Sequence, residues 1–117
     1  LRLSDREPVE AEGYRKHILL DGEELQSDGA RVQVVVIEPG DTIGDHFHQT
    51  TREFYIVLQG RCALTVNGES FVIRRDDMLL IEPGDVHRLE NQGAIPFVLL
   101  VFKTNGDEDT HWPSSDN

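Results

Sequence analysis

Short apolar, β-branched stretches alternate along this chain with compact turn signals, and the alternation predicts an all-β protein. The apolar stretches run over residues 14–20, 31–38, 53–58, 61–66, 70–74, 78–81 and 96–103. Between them stand Pro39-Gly40-Asp41, Gln59-Gly60, Asn67-Gly68, Arg75-Asp76-Asp77, Pro83-Gly84-Asp85 and Asn91-Gln92-Gly93. Asn67-Gly68 is a strong two-residue hairpin signal, because both central positions of that turn need positive φ. Turns spaced about every eight to twelve residues, with no sustained 3.6-residue period, indicate a sandwich or barrel. Only residues 21–26 suit a short helical turn. Residues 1–13 carry Pro8, Gly13 and a run of acids and read as a polar lead-in, while 105–117 read as an acidic tail in which Trp112 alone is suited to docking. That leaves one domain over 14–104.

Composition changes this picture little. A chain of 117 residues has room for one domain with a real core. Cys62 is the single cysteine, so no internal disulfide staples the fold. It shares a strand face with Leu64 and Val66 and reads as a small buried hydrophobe rather than a nucleophile. The net charge of -11 repels phosphate backbones and anionic lipid, which argues against nucleic acid and membrane as partners. Lysine is scarce, with only Lys16 and Lys103. No apolar run approaches the roughly 18 residues of a membrane span. The charged first residues lack the apolar stretch of a signal peptide, and the expectation is a cytoplasmic protein.

The chemistry concentrates in a few residues. His46 and His48 are two apart, so on a strand their imidazoles share a face. The polar run Gln49-Thr50-Thr51-Arg52 suits a loop, after which Glu53 opens an apolar strand. His87 follows the Pro83-Gly84-Asp85 turn, where another strand is expected to begin. Three neutral imidazoles and one carboxylate are a usual ligand set for Fe, Mn, Co, Ni or Zn. Parity also turns Tyr55 and Val57 to the Glu53 side, where Tyr55 is placed to donate a hydrogen bond near the site. By the same parity Arg52 and Arg88 point away from it. His17 and His111 have no motif around them.

These residues carry a family resemblance. Gly40, five residues, His46, one, His48, four, Glu53, six and Gly60 together resemble the first motif of the cupin family at every defining position. Gly84, His87 and Asn91 fit the second motif, which departs where Asp76 replaces a glycine and Glu82 a proline. The resemblance implies a jelly-roll β-barrel with one divalent transition metal inside, held by His46, His48, Glu53 and His87. Iron or manganese is expected foremost, with nickel, cobalt, zinc or copper as alternatives. Gly40 and Gly60 would serve turns, and Asn91 a structural role.

Related proteins of this family include dioxygenases, oxidases, decarboxylases, isomerases, lyases, cyclases and non-catalytic binders. With its histidines occupied as ligands and few titratable groups expected inside, the chain does not fit the metal-free sugar epimerases. The implied function is a metal-dependent enzyme, dioxygenase-like or of isomerase, lyase or decarboxylase type, acting on a small oxygen-rich molecule. Glu53 and Tyr55 are its candidate catalytic residues. A small-molecule binding or sensing module is the other reading. Phe54, Ile56 and Leu58, facing opposite to Glu53, together with the apolar 97–102 stretch, predict a homodimer.

Overall fold

A computed structural model describes residues 2, 5–106 and 109–113, and among them every regular element is a strand. In chain order these are β1 (Pro8–Ala11), β2 (Tyr14–Leu20), β3 (Arg31–Ile37), β4 (Thr42–His48), β5 (Arg52–Gln59), β6 (Arg61–Val66), β7 (Glu69–Arg74), β8 (Met78–Ile81), β9 (His87–Glu90), β10 (Phe97–Thr104) and β11 (Thr110–His111). One sheet has the order β1-β2-β3-β10-β5-β8 and the other β11-β4-β9-β6-β7, and all pairings are antiparallel. Val35, Ile37, Val57 and Leu99 of the first sheet meet Ile43, Leu64, Ile73 and Leu89 of the second in one core cluster. This is the expected all-β jelly-roll barrel.

Local chemistry explains the frame. Asn67 and Gly68 take φ of 50° and 87°, so the β6–β7 hairpin closes in two residues as the sequence predicts. Asn67 then bonds forward through its side chain, accepting from Val86 N–H and donating to Asp85, which ties this hairpin to the start of β9. At the other end of β9, the Asn91 amide donates to the Ile37 and Ile95 carbonyls and accepts from Gly93 N–H. Cys62 is buried in the core.

Residues 21–26 form the expected single turn, with Leu25 N–H donating to the Asp21 carbonyl and Asp21 Oδ1 accepting from Glu24 N–H; Gln26 at φ 53° ends the stretch. Two features differ from the sequence reading. Two short strands lie inside the segments read as lead-in and tail. β1 is exposed and held by pairing to β2 alone, whereas β11 pairs with the end of β4. Neither is apolar enough to be read from periodicity, because the partner strand rather than the core supplies its bonds. The part of the tail reading that falls on 107, 108 and 114–117 lies outside the described residues. Finally, β4 carries a bulge. Ile43 faces Leu89 and His46 faces His87, so β4 spends three residues where β9 spends two. Ile43 and His46 are therefore both inward despite odd spacing, while Gly44 and Asp45 between them face out.

Candidate metal centre

The bulge matters because it aims the site. Gly44 and Asp45 absorb the extra residue, and the two histidines beyond turn inward in alternation with Phe47. Gly84 N–H donates to the His48 carbonyl at 2.7 Å, which pins the turn before β9 against the end of β4. His87 therefore enters beside His46, with ring centroids 4.0 Å apart. The near-ring ligand atoms of His46, His48 and His87 all lie within 4.8 Å of one another, and all three residues are buried.

Each ring is oriented by a backbone carbonyl. His46 Nδ1 lies 2.8 Å from the Gly44 carbonyl, His87 Nδ1 2.9 Å from that of Asp85, and His48 Nδ1 3.1 Å from that of Asp109. A carbonyl can only accept, so each Nδ1 carries the proton and each neutral ring keeps its lone pair on Nε2. Backbone carbonyls that set the tautomer in this way are the usual outer support of metal-ligating histidines.

Glu53 completes the cluster. Its Oε1 lies 3.1 Å from His48 Nε2 and 3.3 Å from His87 Nε2, and it accepts a hydrogen bond from the Tyr55 hydroxyl at 3.1 Å. A lone pair on Nε2 facing a carboxylate oxygen at that distance needs a positive charge between them, either a second proton or a metal ion. His87 Nε2 is wholly buried without a hydrogen-bond partner among the described residues, which is costly unless something takes its lone pair. Burial first, then the neighbouring His87, lower His46 to about 4, so this ring is neutral and ready to ligate near neutral pH. The donor set, its tautomers and the orphaned nitrogen fit a divalent transition metal.

The surroundings hold more than sequence parity suggested. Tyr55 and Val57 are inside, as predicted, and Arg52 is outside in an ion pair with Glu82. Arg88, also outward, lies 3.8 Å from Asp45. The expectation of few titratable groups inside is corrected by Lys103, which is buried with its Nζ 3.5 Å from Glu53 Oε2. Lys103 sits directly across from Glu53 in the β10–β5 ladder and shares the inward parity of Leu99 and Val101. That parity was legible in the sequence, but at the end of an apolar strand a lysine reads as a solvent-facing stop. Gln33, the one polar residue in the apolar middle of β3, is also buried.

Burial pushes the Glu53 carboxyl up, but His48, His87 and Lys103 outweigh it and hold it well below the usual carboxylate range. Burial raises Tyr55 well above its ordinary value, and the Glu53 charge adds to this, so its hydroxyl stays a donor. The mouth is covered by β11. Trp112 lies 4.9 Å from the His46 ring, and Asp109 accepts from Thr50 and Thr51 N–H at 2.7 and 2.9 Å while its carbonyl holds His48. Those N–H groups, that of Thr50 first, hold the Asp109 carboxyl below its usual range. Nothing local in the sequence announces the role of Asp109 at the mouth, because His48, Thr50 and Thr51, which it holds, lie 58 to 61 residues away.

A two-sheeted jelly roll with three convergent histidines and a carboxylate at one mouth is the architecture of a small barrel built around an interior site. The family model described as Cupin domain matches residues 33–103, and the chain belongs to the cupin family. Among curated proteins it is 25% identical to the tetracenomycin polyketide synthase protein TcmJ of Streptomyces glaucescens, over 88% of this chain and 68% of that protein. An uncharacterized protein from Methanocaldococcus jannaschii is 36% identical over 56% of this chain and 54% of that protein. Among solved structures, a predicted oxalate decarboxylase from Thermotoga maritima superposes with a TM-score of 0.81 at 24% identity, covering 88% of this chain and 96% of that one. An oxalate decarboxylase variant from Bacillus subtilis gives 0.74 at 26% identity, covering 92% of this chain and 30% of that one. No helix among the described residues is long and apolar enough to cross a membrane.

Proposed function

We propose that this chain is a metal-dependent cupin enzyme acting on a small oxygen-rich molecule, with His46, His48, Glu53 and His87 holding one divalent ion, iron or manganese foremost. The observation that carries the reading is the anchoring of all three Nδ1 atoms on backbone carbonyls, which directs three lone pairs to one point beside Glu53. When bound, the ion supplies Lewis acidity, or oxygen activation, at the positions its four protein ligands leave open. The relatives named for oxalate decarboxylation and polyketide synthesis handle oxygen-rich molecules, which agrees with this class.

The chain's own residues have separable tasks. Glu53 offsets part of the ion's charge and, held low, stays ionised. Tyr55 steadies Glu53 from behind through its hydroxyl and so acts as a positioning residue rather than a base. Val57, Leu99 and Val101 keep bulk water from the inner wall. A second reading, binding without turnover, is favoured by the same electrostatics: among the described interior residues, Glu53 is a weak base and Tyr55 a weak acid.

Elemental analysis tests the centre. The native chain should carry about one metal ion, and the double change His46→Ala with His48→Ala should carry none. Full occupancy in that variant sinks the assignment. Turnover per bound metal, assayed with and without oxygen on small hydroxylated and carboxylated compounds, separates the readings. Glu53→Gln should lower turnover more than metal content, whereas His87→Ala should lower both together.

A further inference from the structure

Gln33 and Lys103 are buried, line the cavity of the site without belonging to the ligand set, and are neighbours. Gln33 on β3 pairs across the ladder with Val101 of β10, and Lys103 is two residues further along β10 on the same inward face. Diagonal same-face positions in an antiparallel pair are about 7–8 Å apart at the backbone, within joint reach of two long side chains. Both line the cavity that also contains His46, His48 and Glu53. Gln33 Oε1 is buried and has no hydrogen-bond partner among the described residues. An orphaned acceptor in such a place requires a donor from whatever occupies the cavity.

Charge adds a second requirement. Lys103 and Glu53 form an opposite-charge pair 3.5 Å apart, so a divalent ion held by imidazoles and Glu53 leaves two positive charges for the ligand to meet. A burden of that kind in a buried site favours an anionic ligand over a neutral one. Lys103 would also present donors to a carboxylate as a compact point charge.

We infer that Lys103 and Gln33 form the specificity-determining wall of the site, selecting a small hydroxy acid: Lys103 takes the carboxylate and Gln33 Oε1 accepts from the hydroxyl. This rests on the proposed metal-dependent function and narrows its substrate class. The cavity is about 40 Å³, room for about three waters, so only the polar end of a compact acid enters it and the remainder lies at the mouth beside Thr110 and Trp112.

Titration calorimetry of the manganese-loaded full chain, with metal content measured on each sample, tests the assignment using three probes of similar size. Lactate has both groups, propionate lacks the hydroxyl, and 1,2-propanediol lacks the charge. Lactate should bind at least about ten-fold more tightly than either of the others, as expected for loss of a buried hydrogen bond to each. Lys103→Met should erase the advantage over the diol while Lys103→Arg retains it, and Gln33→Leu should erase the advantage over propionate. Equal binding of the three probes to the native chain, no lactate binding at millimolar concentration, or full lactate preference in both Lys103→Met and Gln33→Leu would overturn it. If Lys103→Met fails to fold, Gln33→Leu and Lys103→Arg decide alone. A chain that takes up no manganese refutes the metal reading instead. The metal-free protein then tests the wall through Gln33, and loss of lactate's preference over propionate there overturns the wall as well.

Discussion

His46 shows how a single residue links packing, protonation and stability. Its ring is held near 4 by burial and by His87, against a value near 6.5 in an unfolded chain. Between those two values the unfolded chain binds a proton that the folded chain refuses, so stability rises with pH across the window. For the metal-free protein, the contribution is complete above about pH 6.5 and is lost as the pH falls towards 4. Glu53, also depressed, adds a loss of the same sign at lower pH. The His46 part is on the order of 3 kcal/mol at most. Urea midpoints of the chelated protein should therefore drop from pH 7.5 to pH 5, and His46→Gln should flatten that slope. An unchanged slope in the variant means the ring does not titrate as described.

At the scale of elements, the turns decide whether β4, β5 and β9 meet at the right height. Gly40 and Gly60 both sit at positive φ, 87° and 80°. They differ in surroundings: a Cβ on Gly60 would approach the Pro96 carbonyl oxygen to 2.9 Å, whereas one on Gly40 would meet nothing within 4 Å. Gly40→Ala should cost only the strain of the left-handed region, roughly 1–3 kcal/mol. Gly60→Ala should cost more, because the β5–β6 link must also move away from the start of β10. Chemical denaturation of the two variants checks the order, and equal losses would remove the steric part of the argument. Both glycines were legible as motif positions in the sequence. Their different environments were not, since Pro96 is brought to Gly60 only by the pairing of β10 with β5.

Across the whole molecule, the outer face of the larger sheet lacks cover. Phe102, Phe54 and Leu80 form one cross-strand row, and Leu100, Ile56 and Met78 the next. Met78 is 65% exposed and Leu80 49%, values unusual for side chains that continue an apolar patch. β2, with its apolar Ile18, Leu19 and Leu20, pairs with β3 on the far side of β10. A second copy of the chain is the expected cover. Light scattering at micromolar concentration should give a dimer, and Met78→Lys with Leu80→Lys should give a monomer that still binds metal. A native monomer would leave this face for another partner.

The identity of the strands other than β1 and β11, the Asn67-Gly68 hairpin, the convergence of His46 with His48 and the inward turn of Tyr55 follow from the sequence alone. Each depends on local chemistry, either a two-residue period or a backbone angle that few residues accept. The tertiary structure decided what depends on distant partners. The β4 bulge puts Ile43 and His46 on one face against simple parity, because β9 provides two residues to β4's three. Lys103 turns inward because the β10–β5 register sets it opposite Glu53. Asp109 reaches His48 only because β11 closes on the end of β4. A lysine, an aspartate and a glutamine are equally at home in water, and only the carboxylate, ring and cavity that face them in the folded chain set their roles.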